Sequence, residues 1–88
     1  MTAAYVNRGS VNVALGKFDN AVTDYNTAIK LDANLAAVYQ NRGVALLLIG
    51  RETEAAQDFA KCIELDSSLK SSLEEVIKRA RRLRLSKV

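Results

Sequence analysis

Apolar side chains recur along this chain at steps of three and four, in blocks interrupted by glycine. Tyr5, Gly9 and Val13, with the small Ala4 and Ala14, form one stripe. Ala21, Tyr25, Ala28 and Ile29 form a second. Such spacing puts residues on one face of an α-helix. Gly16-Lys17 separates the two stretches, and Gly16 suits the left-handed position that closes a helix. Asp19 is placed to cap the second helix through its side-chain oxygen. The pattern predicts a helix, a tight turn and a helix, each helix roughly 12–14 residues long.

The arrangement returns 34 residues later. Tyr5 recurs as Tyr39, Asn7-Arg8-Gly9 as Asn41-Arg42-Gly43, Gly16 as Gly50, Ala21 as Ala55, Asp24 as Asp58 and Tyr25 as Phe59. A common offset over so many positions means one supersecondary unit built twice. Thr53 takes the place of Asp19 in the second unit. Gly9 and Gly43 fall in mid-helix, where glycine costs about 1 kcal/mol relative to alanine. That cost is understandable if the partner helix crosses too closely for a β-carbon. Asp32-Ala33-Asn34 and Asp66-Ser67-Ser68 are polar joints. After residue 69 the period continues only in part. Leu73 is in phase with Tyr39, but Ile77 replaces the glycine. Leu73, Val76, Ile77, Ala80 and Leu83 make one apolar stripe, and Ser71-x-x-Glu74 and Ser72-x-x-Glu75 read as capping boxes at its start.

On Tyr5, Gly9, Ala21, Tyr25 and Ala28, and again on Tyr39, Gly43, Ala55, Phe59 and Cys62, the chain resembles the tetratricopeptide repeat. The resemblance implies an all-α fold, a right-handed α-α superhelix of five antiparallel helices in one domain, 1–88. Repeats would span 2–35 and 36–69, with a basic capping helix over 70–88. Some positions depart from the family pattern. Asn12 and Leu46 stand where tyrosine is usual, Glu52 where an aromatic is usual, and Ala33 and Ser67 where proline is frequent. Loss of that proline would let the second helix of each unit run further.

The resemblance also implies a non-catalytic protein–protein interaction module. Its first helices line a concave groove that receives an extended segment or a helix of a partner. In this chain that face holds Ala3, Val6, Asn7, Ser10, Val13 and Ala14, then Ala37, Gln40, Asn41, Val44, Leu47 and Leu48. The last helix would add Ser71, Glu74, Glu75, Lys78, Arg81 and Arg82. The expected contacts are Val6, Asn7, Ser10, Gln40, Asn41, Val44 and Leu48. Each carboxamide offers donors and an acceptor, so Asn7 and Asn41, one repeat apart, can hold a peptide backbone. Asparagine there can instead bond a neighbouring helix. Leu46 and Ile49 are expected in the core, Leu47 and Leu48 in the groove. An apolar groove leaves room for weak self-association. The clamp by which some relatives grip acidic chaperone tails is not expected. Its positions hold Val6, Ser10, Asn41, Ser71 and Glu75; only Asn41 fits, and Glu75 reverses the charge.

Charge adds a rival reading. Residues 1–35 are balanced, 36–69 carry an excess of two acids, and 70–88 an excess of five bases. Lys78, Arg79, Arg81 and Arg82, with Arg84 and Lys87, could bind nucleic acid or an anionic surface. No aromatic residue accompanies them to stack on a base. A solubilising cap, with cations favoured near a helix C-terminus, accounts for them more simply.

Catalysis lacks parts. There is no histidine, phosphate loop or metal-ligand cluster, and no cofactor is expected. Cys62 sits at a buried repeat position and cannot form an internal disulfide, which fits a reducing cytoplasm. The longest apolar run, 44–49, is far short of the roughly 20 residues that cross a bilayer.

Overall fold

The computed structural model describes residues 1–85. Its order is α1 (Thr2–Ala14), α2 (Phe18–Leu31), α3 (Ala36–Leu48), α4 (Glu52–Leu65), a single 3-10 turn over Ser67–Leu69, and α5 (Lys70–Leu85). α1 with α2 and α3 with α4 form two hairpins, and α2 lies against α3 to join them.

Both hairpin turns have the same construction. Gly16 and Gly50 have φ of 76° and 88°, the left-handed region. The amide of Gly16 donates to Val13 O (3.0 Å) and that of Lys17 to Asn12 O (2.8 Å). Gly50 to Leu47 O (3.0 Å) and Arg51 to Leu46 O (2.9 Å) repeat the pair. These are Schellman closures, which satisfy the last free carbonyls of α1 and α3. The chain then re-enters a helix after one residue. Lys17 and Arg51 therefore hold the N-cap positions of α2 and α4, and neither makes a side-chain cap bond. Asp19 and Thr53 fall inside the first turns, contrary to the capping role expected of them. Asp19 still favours the positive end of the α2 dipole.

The joints between units are also tighter than expected. α2 ends at Leu31 and α4 at Leu65, so loss of the family proline extends neither helix. Asp32 and Asp66 are extended at φ −151°, and each accepts at Oδ1 from the amide two residues on, Asn34 or Ser68, at 3.1 Å. The Tyr39 hydroxyl donates to Ala33 O at 2.9 Å, fixing the first joint to α3. At the second joint Leu73 replaces that tyrosine, and the 3-10 turn leads directly into α5. Ser71 and Ser72 consequently lie within the first turn of α5 rather than ahead of it. The expected capping boxes are replaced by Asp66, which accepts from the Ser68 amide and from the Ser68 hydroxyl (2.6 Å).

Two apolar clusters fill the interior. One joins Ala21, Tyr25, Ala28, Val38 and Ala45. The other joins Tyr39, Leu46, Leu47, Ala55, Phe59, Cys62, Leu73 and Ala80. Val22 and Ile29 of α2 pack against both. Within each hairpin the glycine meets an aromatic ring. A β-carbon on Gly9 would lie 2.6 Å from Tyr25 Cε1, and one on Gly43 2.5 Å from Phe59 Cε1.

Beside each glycine runs an ion pair to a buried carboxylate. Arg8 donates through Nε (2.9 Å) and Nη2 (2.6 Å) to Asp24 Oδ1, and Asn12 Nδ2 donates to Oδ2 at 2.9 Å. In the second hairpin Arg42 grips both oxygens of Asp58, at 2.8 and 2.7 Å. Asp24 and Asp58 are buried. Each guanidinium also lies over a tyrosine ring, Arg8 over Tyr5 and Arg42 over Tyr39, at 5.3 and 5.7 Å. The Arg8 hydrogen bonds hold the Asp24 carboxyl below its ordinary range, against burial, with Asn12 assisting.

α5 departs from the repeat. Its backbone lies chiefly against α3, while its Leu73 and Ala80 share one apolar cluster with Ala55, Phe59 and Cys62 of α4. Register gives the reason. Arg79 stands one repeat after Ala45, which is wholly buried where α3 meets α2. Seating α5 on α4 as α3 sits on α2 would bury an unpaired guanidinium, which is strongly unfavourable. α5 instead moves over α3 and covers Leu47, so that residue joins the core and not the groove. Arg84 ties the far end of α5 to Glu52 at 3.1 Å.

Gly43→Ala should destabilise the chain by about 1–3 kcal/mol in urea unfolding, because overpacking against the Phe59 ring outweighs the gain in helix propensity. Gly43→Ala combined with Phe59→Leu should recover part of the loss. Asp24 makes stability depend on acid. A depressed folded pKa contributes stability that is complete above the ordinary carboxylate value of about 4 and is lost as pH falls through the lower folded value. Asp24→Asn should lower the melting midpoint at neutral pH and flatten its decline below pH about 4, measured by circular dichroism.

Candidate binding groove

α1, α3 and α5 enclose a furrow made of three adjoining depressions. The first, about 210 Å³, is lined by Ser10, Val13, Tyr25, Gln40, Asn41, Val44 and Val76. The second, about 150 Å³, is lined by Val13, Val44, Leu48, Val76, Arg79, Ala80 and Leu83. The third, about 240 Å³, is lined by Val13, Ala14, Gly16, Phe18, Leu48 and Leu83. Shared walls make them continuous: Val13 from α1, Val44 and Leu48 from α3, Val76 and Leu83 from α5.

The furrow is polar at one end and apolar at the other. Gln40 and Asn41 stand at the polar end, near the Ser10 hydroxyl, which lies 3.3 Å from the Tyr25 hydroxyl. Burial is the main force raising the Tyr25 pKa, and the Ser10 contact opposes it. The Asn41 carboxamide has no hydrogen-bond partner among the described residues, so it is not spent on a neighbouring helix. Among the described residues, Arg79 is the one charged side chain lining these depressions.

Of the residues expected from the sequence, Ser10, Gln40, Asn41 and Val44 line the first depression, and Leu48 the next two. Val6 packs against the cluster that joins Tyr25 to Val38 and Ala45 and lines none of the three. Asn7 is exposed and also lies outside them. The α5 side differs most. Val76, Arg79, Ala80 and Leu83 face the furrow, and Ser71, Glu74, Glu75, Lys78, Arg81 and Arg82 do not line it. The apolar stripe of α5 was legible; that three of its five residues, Val76, Ala80 and Leu83, would line the furrow was not, because that depends on where α5 docks.

Lys78, Arg81 and Arg82 share one exposed face of α5, outside the furrow. Lys78 lies 3.9 Å from Glu75. Lys87 lies outside the described residues. Cys62 is wholly buried, and burial pushes its thiol pKa up, so it is held as an unreactive thiol. Among the described residues no cluster could hold a metal ion, and no helix is long and apolar enough to cross a membrane.

Comparison with known families agrees with the hairpin geometry. Residues 9–50 match a model described as TPR repeat, and residues 36–69 match one described as tetratricopeptide repeat. No curated protein matches the chain. Tetratricopeptide repeats mediate protein–protein interaction and are typically non-catalytic. With the two matches running without a gap from residue 9 to residue 69, over two hairpins of the same build, the chain belongs to the tetratricopeptide repeat family.

Proposed function

We propose that the furrow between α1, α3 and α5 is a peptide-binding groove, and that the chain acts by receiving a segment of a partner protein there. The observation that carries this is a continuous apolar trough with an unengaged carboxamide at one end. An extended ligand would place its side chains between Val13, Val44, Leu48 and Val76. Asn41 and Gln40 would bond its backbone, using both donor and acceptor capacity. Asn7 becomes a second holding point only for a ligand long enough to continue along α1. The groove is formed before binding, so little ordering entropy of the receptor opposes association.

Arg79 would sit beside the ligand at mid-groove and favour an acidic side chain there. The remaining bases, Lys78, Arg81 and Arg82, support a rival reading as a nucleic-acid or anionic-surface contact. They share one exposed face of α5, at steps of three and four, but carry no aromatic residue with them, which disfavours base stacking.

Peptides selected from a random display library against this chain test the groove. Val44→Glu should weaken the selected peptides at least about tenfold, since it desolvates a charge against apolar ligand surface. Asn41→Ala should weaken them more than Asn7→Ala, with helicity unchanged in all three. Affinity unaltered by Val44→Glu would place binding elsewhere. The rival reading is checked by titrating single-stranded RNA and anionic vesicles at two salt concentrations; it requires binding that collapses with salt and is lost in Lys78→Gln/Arg82→Gln.

A further inference from the structure

On the side of α3 away from the furrow, a second recess of about 210 Å³ opens between α2, α3 and α4. It shares no lining residue with the three depressions. Val22 and Leu46 form its apolar wall. Its polar groups come from all three helices: Asn26 of α2, Arg42 of α3, Arg51 at the head of α4 and Gln57 within it. Both carboxylates that line it are engaged. Asp58 accepts from Arg42 at each oxygen, at 2.8 and 2.7 Å, and Glu54 Oε1 accepts from Arg51 Nε at 2.7 Å. The donors are not exhausted. Arg42 adds a bond from Nη1 to Asn26 Oδ1 at 3.0 Å, which leaves one proton on each of its outer nitrogens. Both outer nitrogens of Arg51, Asn26 Nδ2 and the Gln57 carboxamide have no hydrogen-bond partner among the described residues.

An excess of donors suits a ligand that only accepts, and guanidinium groups recognise oxyanions. A carboxylate has two coplanar oxygens and is served by one guanidinium fork. The terminal oxygens of a phosphoryl group diverge, so they can meet donors from several walls at once. We propose that this recess is a site for a phosphoryl group, inorganic or carried as a monoester, with Arg51 and Arg42 facing its charge and Asn26 and Gln57 its remaining oxygens. Arg42 and Asp58 offset each other, so Arg51 is the charge that the ligand must win from Glu54. That exchange costs little, because Arg51 and Glu54 are both about half exposed and such a pair is weak in water. The corresponding recess of the first hairpin lacks the second guanidinium. Arg8 lines it, but Lys17, the counterpart of Arg51, does not. The site is independent of the groove.

The test titrates the nitrogen-labelled 88-residue chain with inorganic phosphate and, separately, with O-phosphoserine, at an ionic strength held constant with chloride. The side-chain resonances of Asn26, Gln57 and Arg51 should shift and saturate, while that of Arg8 stays in place. Arg51→Gln should abolish the saturation. Glu54→Gln should tighten binding by about threefold, since it removes the competing carboxylate. Both positions are exposed, so the melting midpoint of each variant should stay near that of the parent. Affinity should fall several-fold between pH about 7 and about 5, as the ligand loses its second charge. The chain has no histidine to titrate in that range. Saturation by both ligands fits a phosphoryl group carried on a serine, and saturation by inorganic phosphate alone fits the free ion. Shifts that chloride reproduces, or that survive in Arg51→Gln, would overturn the proposal. So would saturation seen at Lys78, Arg81 and Arg82 and not at Asn26 and Gln57, since the anion would then sit on α5.

Discussion

The meeting of a glycine with an aromatic ring governs the geometry of each hairpin. Gly9 under Tyr25 and Gly43 under Phe59 let the paired helices approach until no β-carbon fits between them. That closeness brings Asp24 and Asp58 beneath Arg8 and Arg42, so that a carboxylate on the second helix can be buried against a guanidinium on the first. The Schellman closures at Gly16 and Gly50 serve the same end, because they return the chain at once into the second helix. An apolar contact, an ion pair and a turn thus reinforce one helix crossing. That mutual support separates a unique fold from a merely helical one.

Between hairpins the logic is different. The contact of α2 with α3 is mostly aliphatic, with the Arg42–Asn26 hydrogen bond at its edge and the Tyr39–Ala33 bond at its joint. α5 does not repeat that contact on α4: Arg79 and Ser72 stand where α3 has its buried Ala45 and Val38, and burying them there would be unfavourable. Its shift onto α3 has two results. Leu47 is withdrawn into the core, and α5 becomes a wall of the furrow. Arg79, out of register with regular stacking, is the one charge among the described residues that line the furrow.

Much of the hairpin could be read before any coordinates. The mid-helix glycines announced a close crossing, and the glycine turns announced left-handed closures. The Arg8/Arg42 and Asp24/Asp58 recurrences carried the signal of the ion pairs, since both pairs share a separation of 16 residues, yet pairing across a hairpin is not implied by recurrence alone. Capping was misplaced for a local reason. Asp19, Thr53, Ser71 and Ser72 are residue types that cap helices, but the helices start one or two residues before them. What precedes them, a positive-φ glycine or a 3-10 turn, sets the start.

By itself the sequence determined the two helical hairpins, their 34-residue translation and the buried stripes. These depend on neighbours within a turn or on exact repetition, both of which are written linearly. Tertiary structure alone decided where α5 rests, which of Leu47 and Leu48 remains open, and which carboxamide faces the furrow. Those outcomes depend on which surfaces meet when α5 docks, and a linear pattern does not record the environment in which a charge such as that of Arg79 will find itself.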